Sequence, residues 1–262
     1  MNRINQLFER KQKHLLNIYC TAGYPKLEST TEVILSLDKA GVDLVEIGMP
    51  YSDPLADGPT IQKSSTIALK NGMSIKKVLA QIKSIRSQTS LPIILMGYLN
   101  PILQYGIEAF LKSCQEVGVD GLILPDLPMY EYETTYQEAF KKYGVQMIFL
   151  ITPQTSVERI QKIDALSDAF IYVVSTAATT GKQTGFGADN IAYFERIKAM
   201  KLKNPTLIGF GISNHETYQT VCQYANGAII GSAFIRMLEK SEVIEEDVLQ
   251  FVDGIRDVVV TK

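Results

Sequence analysis

Eight short apolar runs recur along the chain, most of them followed by a stretch of helical periodicity, and this alternation limits the fold more than any other feature. The runs are Leu15–Cys20, Val42–Ile47, Ile93–Tyr98, Gly121–Leu124, Gln146–Ile151, Phe170–Ser175, Leu207–Phe210 and Ala228–Ile230. They are near-continuously apolar rather than alternating, as expected of parallel strands covered on both faces. Apolar residues at helical spacing fill Leu27–Ala40, Ile75–Ser87, Ile107–Val117, Glu131–Tyr143, Val157–Leu166, Ile191–Met200 and Glu216–Tyr224. Gly41, Gly118 and Gly144 each stand between a helical stretch and an apolar residue, where a helix C-cap turns back into a sheet. Eight such units without a Pro/Ser-rich linker predict a single (β/α)8 TIM barrel over residues 1–262. An extra N-terminal helix is expected at Ile4–Lys13, a short helix at Ala233–Leu238 after the eighth strand, and a closing helix around Glu242–Val258. The alternative, an open doubly wound sheet, more often carries an early GxGxxG, which is absent here.

Composition excludes several function classes. A net charge of −2 with no Lys/Arg stripe gives no reason to expect nucleic-acid binding. No apolar run approaches the ~18 residues of a membrane span, and Met1–Lys13 is polar and charged rather than a signal segment. Three cysteines, Cys20, Cys114 and Cys222, lie far apart with no CxxC spacing, which suits a reduced cytoplasm and small buried hydrophobes.

In a barrel of this kind, chemistry belongs at the carboxyl ends of the strands. There the sequence presents Glu46 with Asp53 and Asp57 on the following loop, Tyr98 and Asn100, Asp126, then Tyr172 and Ser175. The last two strands end in Gly209-Phe210-Gly211-Ile212-Ser213 and Gly231-Ser232. Glycines in those two loops, ahead of a short helix, read as a cup for a phosphate. The predicted strands contain no lysine for a Schiff base, and the two histidines, His14 and His215, assemble no metal set with the cysteines. Carboxylate acid/base chemistry remains, from a Glu in an apolar strand and a more solvated Asp; a structural salt bridge is the competing use of Glu46. The Gly- and Thr-rich stretch Thr176–Ala188 is long for a βα loop and is expected to be a lid.

The run Glu46-Ile47-Gly48-Met49-Pro50-Tyr51-Ser52-Asp53-Pro54-Leu55-Ala56-Asp57-Gly58-Pro59-Thr60-Ile61-Gln62 closely resembles the signature of the tryptophan synthase alpha subunit family. The resemblance extends along the chain through Thr21–Pro25, Met96–Pro101, Gly121–Pro128, Thr179-Thr180-Gly181, Gly209–Ser213 and Gly231–Ala233. It departs from the commoner pattern at Tyr24, at Ala177-Ala178 and at Lys182-Gln183-Thr184.

That resemblance implies reversible retro-aldol cleavage of indole-3-glycerol phosphate to indole and glyceraldehyde 3-phosphate, a lyase reaction. It implies acid/base work for Glu46, an indole N–H acceptor in Asp57, and a neighbouring site tyrosine in Tyr172. Gly181, Phe210, Gly211, Gly231 and Ser232 would hold the phosphate. Tyr19, Met96, Ile123 and Ile151 would wall the indole pocket, with Tyr98, Thr180 and Ser213 also in the substrate-binding set. Pro50, Asp53 and Pro54 match positions facing a beta subunit in an alpha2beta2 tetramer; that subunit carries pyridoxal phosphate (PLP), and no cofactor is expected on this chain. The remaining readings are a free-standing indole-releasing lyase, a phosphate-sensing regulatory barrel and, on fold alone, a sugar-phosphate isomerase.

Overall fold

The computed structural model describes residues 2–175 and 185–257. Its strands are β1 (Leu15–Thr21), β2 (Leu44–Gly48), β3 (Ile93–Met96), β4 (Gly121–Ile123), β5 (Gln146–Ile148), β6 (Leu150–Ile151), β7 (Ile171–Val174), β8 (Thr206–Gly209) and β9 (Gly227–Ile230). They pair in parallel in the order β5-β4-β3-β2-β1-β9-β8-β7-β6. The fifth apolar run, expected as one strand, is thus two. Its first half pairs with β4 and its second half with β7. Phe149 lies between them, and its carbonyl accepts from Tyr172 N–H at 2.9 Å. Inward and outward side chains keep alternating through Phe149: Ile148 and Leu150 join the barrel interior, Phe149 and Ile151 the layer beneath the helices. One run that exchanges neighbours at its midpoint closes the ring.

The barrel interior is stoppered at the amino ends of the strands. Helix α1 (Arg3–Arg10) is capped by Asn2, whose Oδ1 accepts from Ile4 N–H at 2.9 Å. It turns Ile4, Leu7 and Phe8 onto Leu15, Leu44, Ile94, Ile123, Ile148, Phe170, Leu207 and Ile229. The helix ends three residues earlier than its pattern predicts. On the same end, Asp43 accepts from Leu16 N–H at 2.8 Å and pairs with Lys11 at 2.7 Å and Arg256 at 3.1 Å. Asp120 does the equivalent for Ile93 N–H at 2.9 Å and Arg3 at 3.0 Å. Buried carboxylates at this face are therefore structural, each neutralised and hydrogen-bonded.

Two helices form where the sequence reads as loop. Helix α2 (Pro59–Lys70) begins at a proline whose missing N–H is one that no helical first turn would satisfy. Helix α3 (Leu99–Tyr105) includes Pro101 in its first turn, and its leading N–H, on Leu99, is taken by both carboxylate oxygens of Asp126 at 2.9 and 3.0 Å. The expected helix Glu131–Tyr143 begins at Met129 and carries a π turn at Tyr132–Tyr136, where Tyr132 packs edge-on against Phe140 and Phe149. Helix α4 (Ser232–Leu238) follows β9 as expected, and the closing helix spans Ile244–Arg256.

Candidate active site

The carboxyl ends of β1, β2, β3, β7, β8 and β9 open into a cavity of about 380 Å³. Ten of the residues expected at a site line it: Tyr19, Glu46, Asp57, Met96, Tyr172, Phe210, Gly211, Ser213, Gly231 and Ser232. Tyr19, Glu46, Met96 and Tyr172 arrive by strand parity, and the other six come from the loops and helix start that follow the strands. Tyr19 sits beside Glu46 in the β1–β2 register, and both point inward between the outward-facing Ile18, Cys20, Val45 and Ile47.

Glu46 is fully buried. Its Oε1 accepts from Asn17 Nδ2 at 2.5 Å, and its Oε2 has no hydrogen-bond partner. Among the described residues no cation pairs with it, so the salt bridge that satisfies Asp43 and Asp120 is absent here. Burial pushes its carboxyl up to about 8, partly opposed by the Asn17 hydrogen bond. Near neutral pH this group holds its proton.

Asp57 is half-buried at the rim, and burial raises its carboxyl too, against the hydrogen bond from Tyr98. The Tyr98 hydroxyl donates to Asp57 Oδ2 at 3.0 Å and accepts from Ala56 N–H at 2.9 Å. With turns closed by Leu55 N–H on Asp53 C=O and Asp57 N–H on Pro54 C=O, this tyrosine fixes the loop that carries Asp57. Tyr98 does not itself line the cavity; it positions the residue that does.

Two glycines make room for the aromatic walls. A Cβ at Gly48 would lie 2.0 Å from the Tyr19 hydroxyl oxygen, and one at Gly209 would lie 2.3 Å from that of Tyr172. Both phenols lean across these bare positions, and burial pushes both upward in pKa. Replacing Gly209 by alanine is expected to drive the Tyr172 ring from its seat, costing about 1–3 kcal/mol of stability through overpacking. Denaturant titration together with the rate of the catalysed reaction checks this, and unchanged values for both would contradict it.

After β8 the backbone turns through Phe210 at φ +71° and Gly211 at φ +74°. A left-handed phenylalanine is uncommon and is held only by its surroundings. The buried Ser175 supplies the hold, donating to Gly209 C=O at 2.9 Å and sharing Phe210 C=O at 2.8 Å. The turn shares the cavity wall with Gly231 and Ser232 at the start of α4.

Some expected residues sit elsewhere. Ile123 lies inside the barrel beside Met96, with which it is in register on β4, but not on the cavity wall. Ile151 faces the helix layer, because Leu150 takes the inward position. Pro50, Asp53 and Pro54 lie on the loop outside the cavity. Thr180, Gly181 and residues 176–184 of the lid expected over Thr176–Ala188 lie outside the described residues.

The cavity also includes residues the sequence did not flag, among them Ile61 from α2, and Ile212, Ile229 and Arg236. Arg236 stands one helical turn after Ser232, a spacing that puts both on one face of α4. No carboxylate among the described residues pairs with it. No group of His, Cys, Asp and Glu among them is placed to hold a metal.

Comparison with known proteins fits this geometry. The family model described as tryptophan synthase alpha chain matches residues 5–257. The chain is 58% identical to a tryptophan synthase alpha chain of Christiangramia forsetii over 241 residues, covering 92% of this chain and 94% of that one. It is 50% identical to the one of Bacteroides thetaiotaomicron, covering 98% and 100%. The fold superposes on the crystal structure of tryptophan synthase subunit alpha from Legionella pneumophila with a TM-score of 0.88 at 34% identity, covering 98% of each chain.

Proposed function

The chain belongs to the tryptophan synthase alpha chain family, and from that premise we propose that its cavity cleaves indole-3-glycerol phosphate by carboxylate acid/base catalysis. The observation that carries the reading is Glu46: buried, unpaired by any cation among the described residues, with one carboxyl oxygen unpartnered on a side chain that lines the cavity. Its proton goes to the indole ring carbon that bears the side chain, which makes the ring a leaving group. The bond to the side chain then breaks, its electrons return to the ring, and the neighbouring hydroxyl becomes the aldehyde of glyceraldehyde 3-phosphate. The hydroxyl proton returns to the Glu46 carboxylate, so the group ends as it began. A carboxyl poised near neutrality suits a task in which it must give and then take. Asp57 accepts the indole N–H as positive character develops on the ring, and Tyr172 closes the pocket behind it.

The phosphate lies on the backbone of Phe210, Gly211, Gly231 and Ser232, which share one wall of the cavity. Arg236 adds a cation at the same wall. Arg236→Gln is expected to raise KM for the phosphate substrate by roughly three- to ten-fold with kcat little changed, a size suited to one exposed charge. Steady-state kinetics check it, and an unchanged KM would remove Arg236 from the binding set.

The partner is a beta subunit, in an alpha2beta2 tetramer, and the loop from Pro50 to Asp57 meets it. Leu55, 93% exposed on that loop, offers an apolar contact two residues before Asp57. PLP belongs to the beta subunit, and this chain works without a cofactor. No helix among the described residues is long and apolar enough to cross a membrane, and the proposed compartment is the cytoplasm. The whole chain is taken as one barrel domain, supported by a single sheet drawing strands from Leu15 to Ile230.

Indole release from indole-3-glycerol phosphate, with and without a beta subunit, tests the reading. Slow release that rises strongly with the partner is the expected result. Fast release without it would favour a free-standing lyase, and none under either condition would overturn the proposal.

A further inference from the structure

Asn17 lies in the middle of β1, fully buried, at an inward position two residues before Tyr19. Its register partners, Leu44 on β2 and Ile229 on β9, belong to the apolar interior. An amide there is expensive, since its Oδ1 has no hydrogen-bond partner and a buried unmet acceptor destabilises the fold. An aliphatic residue would fill the same space without that cost. The one polar contact the side chain makes is Nδ2 to Glu46 Oε1 at 2.5 Å.

We propose that Asn17 is the positioning residue of the acid/base carboxyl, anchoring Oε1 so that the unpartnered Oε2 carries the exchangeable proton at the cavity. The inference rests on the role given to Glu46 above and extends it to a residue beneath the cavity, one that does not touch substrate. An anchored oxygen removes the carboxyl's rotational freedom, so that only one oxygen meets both the ring carbon and the hydroxyl. The donor also favours the ionised form, which holds the raised carboxyl within reach of neutrality instead of far above it.

The titratable groups around Glu46 do not obscure its titration. Tyr19 and Cys20 on β1 and Tyr172 on β7 are all pushed upward by burial and by the Glu46 charge itself, Cys20 to about 12. Asp57, on the β2 loop, rises from an ordinary carboxylate value and is held down by Tyr98. A group that titrates around pH 8 in this pocket is therefore Glu46.

Asn17→Leu keeps the volume and Asn17→Ala reduces it; both remove the donor. Each is measured as the kcat and KM of indole release against pH, beside the wild-type chain, with the beta subunit present. Expected are a kcat lowered about ten-fold or more and a KM within about two-fold. The alkaline limb is expected to move up by about one to two pH units, the size of a lost hydrogen bond to a charged group. A purely structural Asn17 would lower stability and leave the limb where it is, so an unmoved limb in either folded variant overturns the proposal.

A second measurement uses the wild-type chain alone. The Asn17 side-chain amide resonance should shift with the midpoint of the Glu46 carboxyl, and an amide indifferent to pH between 6 and 10 overturns the proposal even if neither variant folds. Failure of the wild-type chain to release indole would count against the functional reading instead, and the amide titration would still decide the pairing.

Discussion

Glu46→Gln is expected to abolish cleavage and, at the same time, to make the chain more stable at neutral and alkaline pH. The loss of rate follows from removing the proposed proton carrier at the ring carbon, a contribution of about 10²- to 10⁴-fold for a positioned acid/base group. The gain in stability follows from linkage. Folded, the Glu46 carboxyl titrates near 8, against an ordinary value of 4.5. Below the lower value both states keep the proton and the residue imposes no pH-dependent cost. As pH rises from there to about 8, the unfolded chain ionises while the folded one does not, so stability falls through that window and levels off above it. At 1.36 kcal/mol per pKa unit the penalty is roughly 3 kcal/mol at pH 7 and up to about 5 kcal/mol above pH 8. Glutamine is neutral throughout and still accepts from Asn17, so its unfolding free energy should lack this slope. Urea titrations of both chains between pH 5 and 9 check the prediction, and parallel slopes would contradict it.

Asp57→Asn is the second large effect. It removes the charge set to receive the indole N–H while preserving shape and the hydrogen bond from Tyr98, so the fold should be untouched. The expected loss in kcat is about 10²- to 10³-fold, the size associated with one electrostatic group aimed at developing charge. KM should change little, because the interaction strengthens only as the ring is protonated. A variant with near-wild-type kcat would take Asp57 out of the chemistry and leave it a loop residue.

Much of this site is legible in the sequence because it depends on local rules. An acid at an inward position of an apolar strand, followed by a loop with further acids, announces Glu46 and Asp57 without knowledge of any contact. Glycines after the last two strands mark the place proposed for a phosphate by the same local logic. What escapes is whatever depends on a remote partner. Pro59 and Pro101 read as loop punctuation, yet each stands in a first helical turn, and the α3 N-terminus is satisfied by Asp126 from another strand. Tyr98 reads as a substrate contact but holds Asp57, a pairing across 41 residues. Ile151 reads as a pocket wall, but parity turns it toward the helices. Asn17 is hidden within an apolar run, although its parity with Tyr19 places a polar group inside the barrel. That signal was available in the sequence. Arg236 was available too, one turn beyond Ser232 on a helix that the sequence predicts.

The central claim is that a neutral, buried Glu46 carries the proton at this site. Carbon-13 NMR of carboxyl-labelled glutamate, with Glu46→Gln supplying the assignment, measures its protonation directly. The account predicts a carboxyl still protonated at pH 7 with a midpoint near 8. A resonance already that of an ionised carboxylate at pH 6 would contradict it.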